Sequence, residues 1–157
     1  NHINFMKNFS LIIFILFLCS CGYTSIYKNQ KSQDIQMNII EVKGDNELNN
    51  LIKNEIRLYS NKDSNNIYDL KITTDYKKEV LTKNSAGVIT DFNLEVISKF
   101  TINYKEIIKN VQFNENIKIK SETDTFEQNI YEKNIKRNFA SSIREKLISE
   151  ILKISDN

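Results

Sequence analysis

Ile35, Met37 and Ile39 alternate with polar neighbours before Ile40 and Val42 switch to the other side, which predicts a short strand over Ile35 to Val42 with an irregularity inside it. The period then lengthens. Leu48, Leu51, Ile52, Ile56 and Tyr59 recur at three- and four-residue steps, with Asn49, Asn50, Lys53 and Arg57 opposite, so an amphipathic helix comes next, capped by Asp45 or Asn46. Glu55 falls on the apolar arc of that helix, which places it at the margin or in an ion pair. Ser60 to Asn66 is a polar break.

Strict alternation returns with Tyr68, Leu70, Ile72, Thr74 and Tyr76 against Asp69, Lys71, Thr73, Asp75 and Lys77, a half-exposed strand. After a turn at Asn84 to Gly87, Val88, Phe92, Leu94, Val96, Phe100, Ile102 and Tyr104 all occupy even positions, and Tyr104 to Lys109 reads as a second turn. Val111, Phe113, Ile117 and Ile119 carry the theme through a strand over Asn110 to Lys120. Three long strands joined by short turns predict an antiparallel meander. From Phe126 to Ser155 the spacing of Ile135, Phe139, Ala140, Ile143, Leu147, Ile151 and Ile154 returns to threes and fours, one long helix with Thr123, Asp124 and Thr125 as candidate caps. Its polar side is expected to carry Lys136, Arg144, Glu145 and Lys153. The predicted fold is α/β in the α+β sense, order β-α-β-β-β-α. It is a two-layer sandwich with an approximately four-stranded, largely antiparallel sheet and two helices on one face.

The start of the chain obeys a different logic. Leu11 to Leu18 is an uninterrupted apolar run preceded by Met6 and Lys7 and succeeded by Cys19, Ser20 and Cys21. It is far shorter than the ~20 residues a membrane-crossing helix needs, and it has the layout of a secretory leader. Ser20 puts a small residue before Cys21 and Leu18 stands three places before it, whereas Leu18 fits poorly next to a cut at Cys19. Residues 1–20 therefore read as a lipoprotein signal peptide. Cys21 is the acylated N-terminus, and residues 21–34 are a polar tether to a single domain over 35–157. Met6 is the expected start, with Asn1 to Phe5 an upstream extension. Gly22 in place of an aspartate favours export to the outer membrane, with the domain on the periplasmic side.

This reading changes what composition allows. The sole histidine, His2, precedes Met6, and the leader and the lipid consume both cysteines. The mature domain then lacks the groups for Ser-His-Asp or Cys-His nucleophilic catalysis, for a His/Cys metal centre or for a disulfide framework. No catalytic residue, metal ligand or cofactor site is assigned. Three glycines cannot supply a phosphate-cradling loop, and 22 basic against 20 acidic residues leave no nucleic-acid footprint.

Cys21-Gly22-Tyr23 through Ile26-Tyr27, then Tyr68 to Ile72, Asp91 to Leu94 and the helix from Phe139-Ala140 to Ile154, in this order and spacing, resemble the LptE family of the outer-membrane lipopolysaccharide-assembly complex. Ser25 stands where such proteins often have proline. The resemblance implies a protein that plugs an LptD-type β-barrel, helps it assemble and binds lipopolysaccharide, without covalent chemistry. It also implies basic groups at the loop between the second and third strands and at the start of the last helix. Here those positions hold Lys83, Lys133 and Lys136, while Asn84, Ser85 and Ala86 leave the loop tip neutral. A lipid-anchored periplasmic domain that binds another ligand or assembly machine is the competing reading.

Overall fold

The computed structural model describes residues 34–155; the leader, Cys21 and all of the tether before Asp34 lie outside them. The elements are β1 (Gln36–Gly44), α1 (Asn46–Tyr59), β2 (Ile67–Lys83), β3 (Ile89–Tyr104), β4 (Ile107–Lys120) and α2 (Thr125–Ser155). The strands form one sheet in the order β1-β2-β3-β4. β2, β3 and β4 pair antiparallel as the meander predicts. β1 pairs with β2 in parallel, and α1 is the crossover that a parallel pair requires.

The hydrophobic periods become layers. Tyr68, Leu70 and Ile72 on β2 and Leu94, Val96, Phe100 and Ile102 on β3 are buried on one sheet face, where α1 covers β1 and β2 and α2 covers β3 and β4. Leu48, Ile52 and Ile56 from α1 and Ile143, Leu147 and Ile151 from α2 close the core. Tyr68 and Tyr104 stack with centroids 4.3 Å apart, and Tyr104 donates its hydroxyl proton to Asn66 Oδ1 at 2.9 Å, tying the meander to the loop before β2. Asn66 Nδ2 in turn donates to the Asp34 carbonyl at 3.1 Å, so the last tether residue is already fixed to the domain.

The irregularity expected in the first strand is a register shift between Ile39 and Glu41. Ile40 is the extra residue, half exposed, and Glu41 consequently stands opposite Lys71 on the outer face. β1 ends at Gly44, whose φ of +97° is left-handed and where an added Cβ would lie 1.7 Å from the Thr74 carbonyl oxygen. Only glycine lets the two backbones approach that closely. Asp45 then caps α1, its Oδ1 accepting from the Leu48 amide at 2.7 Å.

Two boundaries differ from the sequence expectation. β2 runs on to Lys83, because Glu79, Val80 and Leu81 break the alternation while register shifts after Val80 and Thr82 keep the ladder paired. The second turn is only Lys105 and Glu106, and β4 starts at Ile107. Ile107 and Ile108 are both exposed, so they show no alternation by which a strand is recognised. One side chain is placed differently. Arg144, expected on the polar side of α2, is 7% exposed. Its guanidinium lies 4.1 Å from the Tyr59 ring centre and its Nε 3.4 Å from Glu55 Oε2. Arg144 and Glu55 thus partner each other between the helices, which also resolves the odd position of Glu55.

Candidate functional site

Of the three lysines singled out from the sequence, Lys83 lies where β2 and β3 outrun the helices, and Lys133 and Lys136 lie on α2, Lys136 over Tyr76 in the covered half of β2. From Lys77 to Val88 every residue is exposed. The hairpin is nevertheless well built. Asn84 Oδ1 accepts from the amides of Ala86 and Val88, both at 3.0 Å, and Gly87 takes the left-handed conformation, φ +78°, that closes the turn. Behind the tip Thr82 and Thr90 share a hydroxyl contact of 2.7 Å and both donate to Asp91. Those hydrogen bonds, Thr82's first, hold the Asp91 carboxyl below the usual carboxylate range, and Lys118 at 3.4 Å adds to the effect.

Lys83 sits at this tip, exposed and without an ion-pair partner among the described residues. Lys133 is likewise exposed on α2 and unpaired among them. Lys136 differs. It reaches Glu47 Oε2 at 2.6 Å and lies 4.3 Å from the centre of the Tyr76 ring, its side chain 13% exposed. Its charge ties α2 to the start of α1. Tyr76, enclosed beneath it, has its hydroxyl pKa pushed up to about 12 by burial first and then by the carboxylates of Glu132, Asp45 and Glu47. The phenol therefore keeps its proton throughout the physiological range.

Lys78 is the basic residue that periodicity passes over. It stands on the core-facing parity of β2, pairs with Glu132 of α2 and covers the Phe92 ring at 4.1 Å. A charge on the buried parity of a strand was the available signal, and it marks where the helical layer ends. Lys83 lies five residues further along, about 17 Å at strand rise. Lys83 is therefore not part of the Lys136 cluster. Open cations of this region include Lys83 at the hairpin tip, Lys120 opposite Asp91 at the end of β4 and Lys133 on the helix, with Arg137 one turn beyond, exposed and hydrogen-bonded to Asn134. Exposed apolar side chains lie among them: Val80, Leu81 and Val88 on the hairpin, and Phe126 and Ile130 at the start of α2.

The other surface of note is the outer face of the sheet. It carries Lys71, Thr73, Asp75 and Lys77 on β2 and Asn110, Gln112, Asn114 and Asn116 on β4, so its middle is mostly polar, with Ile97 on β3 and the exposed Ile67 and Ile108 towards one end as apolar exceptions. A depression of about 490 Å³ opens in it across all four strands, from the end of β1 to the start of β4. Along the far edge, β1 and the end of α1 border a groove lined by Met37, Asn38, Arg57, Ser60 and Lys62. Among the described residues no helix is long and apolar enough to cross a membrane, and no group of three or more His, Cys, Asp or Glu side chains is arranged to hold a metal ion.

No family model matches the chain, and no curated relative does. Solved structures do. Rare lipoprotein B from Shewanella oneidensis superposes over 75% of this chain and 99% of its own, with a TM-score of 0.55 and 14% identity. A lipoprotein from Caulobacter crescentus matches over 80% and 92%, with a TM-score of 0.55 and 9% identity. At such identities the likeness is one of fold, and the β-α-β-β-β-α sandwich of this chain is a fold found in bacterial lipoproteins.

Proposed function

We propose that the chain is a lipid-anchored lipoprotein of the outer membrane, on its periplasmic side. It would act as the LptE-type partner of an LptD-type β-barrel, plugging the barrel, assisting its assembly and binding lipopolysaccharide in transit. It works by binding and needs no catalytic group or cofactor. The observation that carries this reading is the polar outer sheet face, set on a domain whose fold is shared with lipoproteins. Barrel lumens are polar, and a plug must offer water-compatible surface on the side that faces the wall. The leader and Cys21 support the anchor. Lys83 and Lys133 supply the free cations for lipid phosphates, by charge-assisted hydrogen bonds; Lys136 contributes less, since Glu47 already holds it.

Detergent extraction of the tagged full chain from its own cells tests this. The expected result is co-purification of a large β-barrel protein, with lipopolysaccharide retained by the parent and reduced in the Lys83→Ala, Lys133→Ala pair. Recovery of the lipoprotein with no barrel partner overturns the plug reading and leaves the independent lipid-anchored binding domain in its place.

A further inference from the structure

We infer that the depression on the outer sheet face is a binding site for a phosphate-bearing ligand, separate from Lys83 and Lys133 and held by Lys43, Lys71 and Lys99. The register assembles it. One row across the sheet runs Lys43, Thr73, Lys99 and Gln112; the next runs Glu41, Lys71, Thr101 and Asn110. Strands are ~4.8 Å apart, so Lys43 and Lys99 flank Thr73 at a spacing of about 10 Å, wide enough for a phosphoryl group between two flexible ammonium arms. Glu41 faces this surface only because the bulge at Ile40 resets the register.

Charge selects the ligand. Glu41 contacts Lys43 at 2.5 Å and Lys71 at 3.5 Å, and those cations hold its carboxyl below the ordinary range. Lys99 has no ion pair among the described residues. Three lysines against one glutamate leave two positive charges, which match a phosphate monoester at neutral pH, near −2, better than a single carboxylate. Thr101 donates to Asn110 Oδ1 at 2.7 Å, which leaves the Asn110 amide nitrogen as a further donor. The volume of about 490 Å³ exceeds what a lone phosphate fills and lies in the range of small-ligand sites. The occupant is therefore expected to be a phosphate carrying a polar headgroup. The site is formed by this chain alone and does not depend on a barrel partner.

Isothermal titration of the detergent-solubilised full chain with inorganic phosphate, and separately with dihexanoyl phosphatidic acid, a phosphate monoester, and dihexanoyl phosphatidylcholine below their micelle concentrations, tests it. Phosphate affinity should fall about tenfold or more in the Lys71→Gln, Lys99→Gln pair, the effect of losing charge-assisted hydrogen bonds. It should survive in Lys99→Arg and in the Lys83→Gln, Lys133→Gln pair. Tighter, lysine-dependent binding of the phosphatidic acid than of phosphate, with none of the phosphatidylcholine, identifies a lipid phosphate; phosphate binding alone identifies a free phosphate. Absence of binding by every probe overturns the proposal, and so does binding indifferent to Lys71 and Lys99.

Discussion

The two halves of β2 are hydrogen-bonded to β3 along nearly their whole length, yet they live in different environments. Between Tyr68 and Tyr76 one face of the strand is sealed under the helices, and Tyr68 and Leu70 have no exposed surface. From Lys77 to Lys83 both faces are open. The difference lies in the second layer. A ladder satisfies backbone donors and acceptors wherever two strands run together, but apolar side chains leave water only where something covers them. The helical layer stops at Lys78, whose pairing with Glu132 closes the covered half with a charge. Beyond Lys78 the strand continues into a hairpin held by its own turn and hydroxyl contacts.

The largest expected effect falls where the covered half begins. Gly44→Ala would drive a methyl group into the Thr74 carbonyl at a left-handed position, and urea denaturation should show a loss of roughly 4 kcal/mol or a failure to fold. A loss under 1 kcal/mol would mean the β1–β2 junction is not as tight as described. Next, Leu70→Ala and Val80→Ala remove apolar groups from the two halves of one strand. The first, fully buried, should cost about 3 kcal/mol. The second, 45% exposed, should stay within about 0.5 kcal/mol. Equal costs would break the distinction between the halves. Asp45→Ala removes the cap of α1 and should cost about 1 kcal/mol by the same measurement.

The smallest effect belongs to the open half and depends on pH. The carboxyl of Asp91 is held below its ordinary value of 3.8 by Thr82, Thr90 and Lys118. A depressed carboxylate stabilises the fold above its unfolded value, and that contribution is lost as pH falls through the lower folded one. Amide protection factors at the hairpin tip, measured against the intrinsic exchange rate at each pH, should therefore fall on acidification below about pH 4, while protection at Leu70 and Phe100 stays high. In Asp91→Asn that acid-induced loss of protection at the tip should vanish. A tip whose protection falls with acid equally in both proteins would show that Asp91 does not hold it.

Much of this architecture can be read from period alone, because burial on one face of a strand or helix leaves a two- or 3.6-residue signature. The even-numbered apolar positions of β2 and β3, the stripe of α1 and the bulge near Ile40 all arise from it. What period misses is specific. Val80, Leu81, Ile107 and Ile108 face solvent in a paired strand, so nothing constrains their alternation, and by pattern the strand ends around them resemble turns. Of the lysines chosen from the sequence, Lys136 is a tie between helices rather than an open cation. Arg144 has the pattern of one more solvated charge on α2, since its partners Glu55 and Tyr59 are remote along the chain.

The sequence by itself determined the element order and the buried face of each element, because both are encoded by neighbours within a few residues. Tertiary structure alone decided that β1 lies parallel to β2, that Arg144 is enclosed between the helices, and that Lys43, Lys71 and Lys99 share one depression. Those outcomes depend on strand pairing and helix docking between distant segments. Such contacts are selected by packing and closure of the whole core, and no local pattern of polar and apolar residues records them.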